Sequence, residues 1–318
     1  MQTFNTTALQ EVVLLTDGLS AASVYKIAVN DQYYVLKVDP GVVIHDHSCM
    51  EVAAEAGLAP AVHYINKTTG ITITGYIQHR PLQNAFKSPG ILLMELTKTI
   101  RAIHELPLFS KESSLLDTVD GFVNEFKASQ MLTGTAFDDC FAYYELIKAH
   151  YPWHDSDRVS SHNDLNPNNM VFDGAKIWII DWDAAFKNDR YVDLAITANF
   201  FAAADMEEDT MLETYFGDNL KEYNKARFFI MRQICRIVYA MLMFRLANAS
   251  GRSGAIHDPG MQEATLTAIR KQLADGQLNL AEYQGQLLFG KAMLNEALNN
   301  MRSDRFDQSI QQLINTIN

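Results

Sequence analysis

Alternation of apolar and polar residues dominates the first eighty positions of the chain, and a spacing of three to four residues dominates most of the remainder. Val24–Val29 and Tyr33–Val38 are rich in β-branched and aromatic residues and flank Asn30-Asp31, which predicts a hairpin. In the second run Tyr33, Val35 and Lys37 share one face, while Tyr34, Leu36 and Val38 share the other. A helix ending at Gly57, ahead of Pro60, is expected next, then an alternating strand over Ile71–Ile77 that Arg80-Pro81 ends. Ser88-Pro89 has the form of an N-cap followed by proline at the first helical position. Leu92, Leu93, Leu96, Ile100 and Ile103 continue at helical spacing, and further helices are predicted across 116–149, 206–248, 261–300 and 305–317. One stretch interrupts them, with short strands at Met170–Phe172 and Ile177–Ile180 around Asp173-Gly174, a second hairpin signal. The pattern predicts an α+β chain in two lobes, a β-rich one with a single helix over 1–80 and a helical one over 81–318.

Composition narrows the class. With 318 residues the chain can bury a substantial core. A formal charge of -12 argues against sequence-independent nucleic-acid binding, which needs basic side chains against phosphates, and is compatible with a cationic small-molecule partner. Cys49, Cys140 and Cys235 are far apart and odd in number, so neither a disulfide framework nor a zinc site is expected, and a reducing cytoplasm is the expected compartment. The first residues lack the basic and apolar regions of a signal peptide. The most apolar segment, FFIMRQICRIVYAMLMFRLA, is broken by Arg232, Gln233, Arg236 and Arg245, which predicts a buried helix and no membrane partner.

The polar hairpin carries the chemistry. Folding the chain back at Asp173-Gly174 brings Asn169 and Asp181 to the same end, with Asp164 in the loop feeding the first strand. A carboxamide oxygen beside a carboxylate is a hard-oxygen site of the kind Mg²⁺ takes when phosphates complete its octahedron. A further carboxylate that the metal does not need can accept a proton from a hydroxyl group.

This spacing resembles the protein-kinase-like superfamily. His162-Asn-Asp164-Leu-Asn166-Pro-Asn-Asn169 is similar to its His-x-Asp-x-x-x-x-Asn catalytic loop, and Asp181-Trp182-Asp183 stands where protein kinases have Asp-Phe-Gly. The resemblance implies Asp164 as catalytic base, Asn169 and Asp181 as magnesium ligands, and His162 as a brace for the loop. Asn166 replaces the lysine of protein kinases, and neither a glycine after Trp182 nor an activation segment follows. The continuation DWDAAFKNDRYVDLA looks like the choline/ethanolamine kinase and aminoglycoside phosphotransferase branch, in which Asp193 resembles an aspartate that supports the catalytic loop.

By the same resemblance Lys37 contacts the α/β-phosphates, with Asp46 or, as a rival, Glu51 as its acidic partner. Glu51 also reads as part of a capping box with Ser48. The loop Asp17–Ser23 would cover the phosphates through Gly18, Ser20 and Ser23, and Thr74–Gln78 would form a hinge whose Tyr76, Ile77 and Gln78 meet the adenine edge. Asp183, Trp182 and Tyr191 are candidates for the acceptor, since a carboxylate with aromatic faces suits an ammonium group. Phe200, Phe201, Tyr215 and Phe216 join that mixture, although most such aromatics belong to a core. His45 and His47 are read as exposed residues at a helix start, and His104 as a packed or capping histidine.

The function expected is an ATP- or GTP- and Mg²⁺-dependent phosphotransferase acting on a hydroxyl of a small cationic molecule. Choline- or ethanolamine-type acceptors rank first, ahead of aminoglycoside or thiamine-type ones. A nucleotide-binding pseudokinase sensor is the alternative from another class. The oligomeric state and the role of the C-terminal 65 or so residues stay open.

Overall fold

The computed structural model describes residues 4, 9–15, 22–39, 48–82, 85–154, 157–250 and 263–317. Strands β1 (Glu11–Leu15), β2 (Ser23–Val29), β3 (Gln32–Val38), β4 (Val62–Asn66) and β5 (Ile71–Gly75) form one antiparallel sheet in the order β1-β2-β3-β5-β4. Asn30 (φ 51°) and Asp31 (φ 61°) are both left-handed, the backbone that a two-residue hairpin turn requires. Tyr25, Ile27, Val29, Tyr34, Leu36 and Ile73 pack on one face of the sheet as its core. The other face presents Lys37, paired across to Val24 of β2 and Thr72 of β5. Strand β1 is absent from the sequence expectation because it does not alternate: Val12, Val13, Leu14 and Leu15 are all exposed at the edge of the sheet.

Helix α1 (Ser48–Glu55) ends where Gly57 turns left-handed at φ 73°, and the Leu58 N–H donates back to the Ala53 carbonyl. Helix α2 (Pro89–His104) starts as its sequence predicts, with the Ser88 side chain accepting from the Ile91 N–H. The segment 116–149 is two helices, α3 (Leu115–Ser129) and α4 (Thr135–His150), parted where Gln130 and Gly134 take positive φ. Short strands β6 (Arg158–Ser161), β7 (Met170–Phe172), β8 (Ile177–Ile179) and β9 (Phe186–Asp189) form two hairpin-sized sheets, β6 with β9 and β7 with β8. Helices α5 (Tyr191–Phe201), α6 (Asp205–Phe216), α7 (Glu222–Ala249), α8 (Leu266–Ala274), α9 (Tyr283–Met301) and α10 (Asp304–Ile317) complete the chain. Helix α5 carries no strong amphipathic period, since it is buried nearly all round, and the sequence pattern therefore did not predict it.

Residue contacts group 1–113, 158–193 and 200–215 into one unit, and 114–157, 194–199 and 216–318 into another. In the second unit α7 is buried around its whole circumference, against α9, α10 and α3. Two of its arginines bond locally: Arg232 Nε donates to Asn199 Oδ1 (2.9 Å), and Arg236 donates to Gln233 Oε1 (2.7 Å). No helix among the described residues is long and apolar enough to cross a membrane. The three cysteines are buried free thiols, and burial pushes that of Cys140 up to about 12.

Candidate active site

The first unit contains all the described residues of the polar constellation. Asp173 builds its turn. One carboxylate oxygen accepts from the backbone N–H groups of Ala175 and Lys176, and the other accepts from Trp178 Nε1 at 2.8 Å. These bonds, that from Trp178 foremost, hold the carboxyl down at about 2. Gly174 follows at φ 107°, a backbone that favours glycine, with the flexible Arg80 side chain passing close by. Met170 pairs with Ile179, and the Ile180 N–H donates to the Asn169 carbonyl, which sets Asn169 beside Asp181 at the open end of the hairpin. Behind it, the Ile179 N–H donates to the Leu58 carbonyl, anchoring the hairpin to the segment after α1.

Asp164 is held by amides. Asn166 Nδ2 donates to one of its oxygens at 3.0 Å and Asn169 Nδ2 to the other at 3.0 Å; Asn169 also donates to the Asp164 carbonyl. The carboxamide oxygen of Asn169 makes no bond among the described residues. Asp181 is left-handed (φ 61°), a strained backbone for a non-glycine residue, and its carboxylate accepts from Lys37 Nζ at 3.1 Å. Asp183 accepts from the same ammonium at 2.5 Å. Burial alone would lower the pKa of Lys37, but the two carboxylates outweigh it and raise it, so the lysine is a fixed cation. On its face of the sheet Lys37 lies across from Val24 and Leu15 on one side and from Thr72 on the other, and two residues along the strands Val35 and Val13 flank Lys26.

The loop is braced from beneath. His162 is fully buried, its Nε2 donates to the Ile180 carbonyl at 3.0 Å, and its Nδ1 accepts from the Asp164 N–H. Its ring meets Trp182 edge-on, and Trp182 meets Phe109 in the same way. Asn163 takes φ 65°, and its side chain bonds to Ser161 and Asn188 and to the Ala184 carbonyl, tying the loop to β9. Asp193, with no exposed surface, accepts from the backbone N–H of Asn163 (2.7 Å) and of His162 (2.9 Å). Burial pushes the Asp193 carboxyl up, but the hydrogen bonds from His104 and His162 outweigh it and hold it below the usual carboxylate range. Neither the bond from Asn163 to Ala184 nor the His104–Asp193 contact was legible in the sequence, because each joins residues 20 to 90 positions apart.

Several expected positions are corrected. Trp182 and Tyr191, expected at the acceptor, are 3% and 2% exposed and belong to the core. Among the described residues Asp183 lies closest to Lys37; of its two expected partners, Glu51 is exposed on α1 and makes no bond to the lysine there, and Asp46 lies outside the described residues. Ser23 opens β2 opposite Val38, so alternation turns its side chain away from the Lys37 face. The Tyr76 N–H donates to the Tyr33 carbonyl and is not free for an adenine, while the backbones of Ile77 and Gln78 make no bond among the described residues. Gly18, Ser20, His45, Asp46 and His47 lie outside the described residues.

Comparison with known proteins points the same way. No curated protein sequence matches the chain significantly. Among solved structures, the chain is similar to a choline/ethanolamine kinase family protein from Mesorhizobium loti, with a TM-score of 0.68 and 16% identity over 95% of this chain and 92% of that one. It is similar to a Plasmodium vivax ethanolamine kinase, with a TM-score of 0.62 and 13% identity over 95% and 83% of the two chains. A spectinomycin phosphotransferase in complex with ADP and spectinomycin gives 0.56 and 14% over 97% and 94%. At these identities the likeness is one of fold, the kinase-like one of an N-terminal sheet and a mostly helical remainder. The phosphotransferase enzyme family matches residues 11–229, which takes in the sheet with Lys37, the Asp164 loop and the Asp181 hairpin, and the chain is a member of that family.

Proposed function

We propose that this phosphotransferase moves the γ-phosphoryl group of ATP to a hydroxyl of a small cationic molecule, of choline or ethanolamine type ahead of an aminoglycoside. The observation that carries the reading is that two bonded pairs, Asp164 with Asn169 and Lys37 with Asp181, are held at one end of the hairpin by the bond from the Ile180 N–H to the Asn169 carbonyl. A carboxylate whose two oxygens are oriented by neutral amides suits a base that must align a hydroxyl and take its proton. Lys37, kept cationic by Asp181 and Asp183, would neutralise phosphate oxygens, and the aliphatic side chains on its face would accept a purine. Asn169 and Asp181 would hold Mg²⁺, which supplies charge neutralisation on the phosphates when bound. The donors fit: one carboxylate and one carboxamide oxygen are hard ligands, and among the described residues no three His, Cys, Asp or Glu side chains form a cage of their own.

Two further facts favour these substrates. Structures similar to the chain include a choline kinase from Streptococcus pneumoniae, and a complex of that kinase with AMP. The net charge of -12 suits a cationic acceptor through long-range attraction. Magnesium-dependent ADP release across a panel of amino alcohols and aminoglycosides tests the proposal. Activity is expected with at least one of them, and Asp164→Asn is expected to lower kcat on that acceptor by about 100-fold or more. A wild-type protein that binds ATP yet turns over none of the panel would replace this reading with that of a nucleotide sensor.

A further inference from the structure

His104, the last residue of α2, is a buried histidine that the proposed chemistry does not use. Its Nε2 lies 3.1 Å from Asp193 Oδ2 and its Nδ1 lies 2.6 Å from the Tyr215 hydroxyl. All three side chains are buried. An ionised carboxylate only accepts, so Nε2 carries the proton, and in the neutral ring Nδ1 accepts from Tyr215. The Arg190 guanidinium lies 6.0 Å from the Tyr215 ring centroid.

Asp193 is where this chain meets the catalytic loop. Its Oδ2 serves both His104 and the His162 N–H, and its Oδ1 serves the N–H of Asn163, the left-handed residue next to Asp164. A buried carboxylate with three donors has one arrangement in which all are satisfied, and losing any of them frees the other two to shift. From this geometry we infer that His104 and Tyr215 are positioning residues for the proposed base. Through Asp193 they fix the strained turn at Asn163 and so the direction in which Asp164 points. The inference rests on the kinase reading for its effect on rate, but not for its effect on the loop. Their link to the loop runs through Asp193 and the backbone of His162 and Asn163, so their contribution falls on the alignment of the chemical step and not on nucleotide binding.

Tyr215→Phe keeps the ring and the Arg190 contact and removes only the hydroxyl. His104→Gln keeps a donor at reduced reach. In the full chain, both variants are expected to lower kcat, His104→Gln by about tenfold, with KM for ATP within about twofold of wild type. Amide hydrogen exchange in the 161–164 segment is expected to speed up in both. Unchanged kcat and unchanged exchange would overturn the inference, as would a matched rise in KM for ATP with the fall in kcat. If wild type turns over no acceptor, the kinase reading fails, and exchange at 161–164 alone then decides whether His104 and Tyr215 hold the loop.

Discussion

Lys37 and Asp183 show how one contact reassigns a residue. In sequence, Asp183 stands among aromatics and invites a cationic substrate; in the fold its carboxylate is 2.5 Å from an ammonium that belongs to the protein. A carboxylate already paired with a fixed cation is a poor second partner for another. Asp183→Asn is therefore expected to raise KM for ATP several-fold, by loosening Lys37, and to leave KM for the acceptor unchanged. Steady-state kinetics with each substrate varied in turn checks this, and a change confined to acceptor KM would return Asp183 to the acceptor.

Elements were legible where a local signal sufficed. The Asn30-Asp31 and Asp173-Gly174 turns and the Ser88 cap all stand where the sequence puts them, because each is made by neighbours within a few residues. Asn169 and Asp181 meet for the same reason, since a hairpin with a short turn fixes its own register. Legibility failed where burial is uniform. Helix α5 and strand β1 have no polar face to alternate with, and the bonds from Asp193 to the loop cross about 30 residues of chain. Helix pairing has the same hidden quality: Gly290 of α9 leaves room for α7, and a Cβ there would sit 2.8 Å from the buried ring of Phe244 and 3.2 Å from the Ala240 carbonyl. Gly290→Ala is expected to cost about 1–3 kcal/mol in spite of the better helix propensity of alanine. Denaturant unfolding of the two proteins measures the difference.

At the scale of the whole molecule, acid is the informative perturbation. Asp173 is held at about 2 in the folded chain, and Asp193 is held low as well. Depressed carboxyls stabilise the fold fully above their ordinary value near 3.8, and that contribution is lost as pH falls through the folded value. The thermal midpoint is expected to drop between about pH 4 and pH 2, with a shallower drop in Asp173→Asn. A profile as steep in the variant as in wild type would mean that Asp173 is not among the groups responsible.

Strand β1 sets a different limit, reached earlier on the same descent in pH. Its outer edge has no neighbour among the described residues, and Val12, Val13, Leu14 and Leu15 are all exposed there. An apolar edge of this kind is a template for another strand, and mutual repulsion between copies with a net charge of -12 opposes that approach. The repulsion vanishes near the isoelectric point of 5.2, while the acid-sensitive carboxylates are still ionised and the fold intact. Colloidal failure thus precedes unfolding on acidification, and a handling buffer is better chosen by the charge of the surface than by the stability of the core.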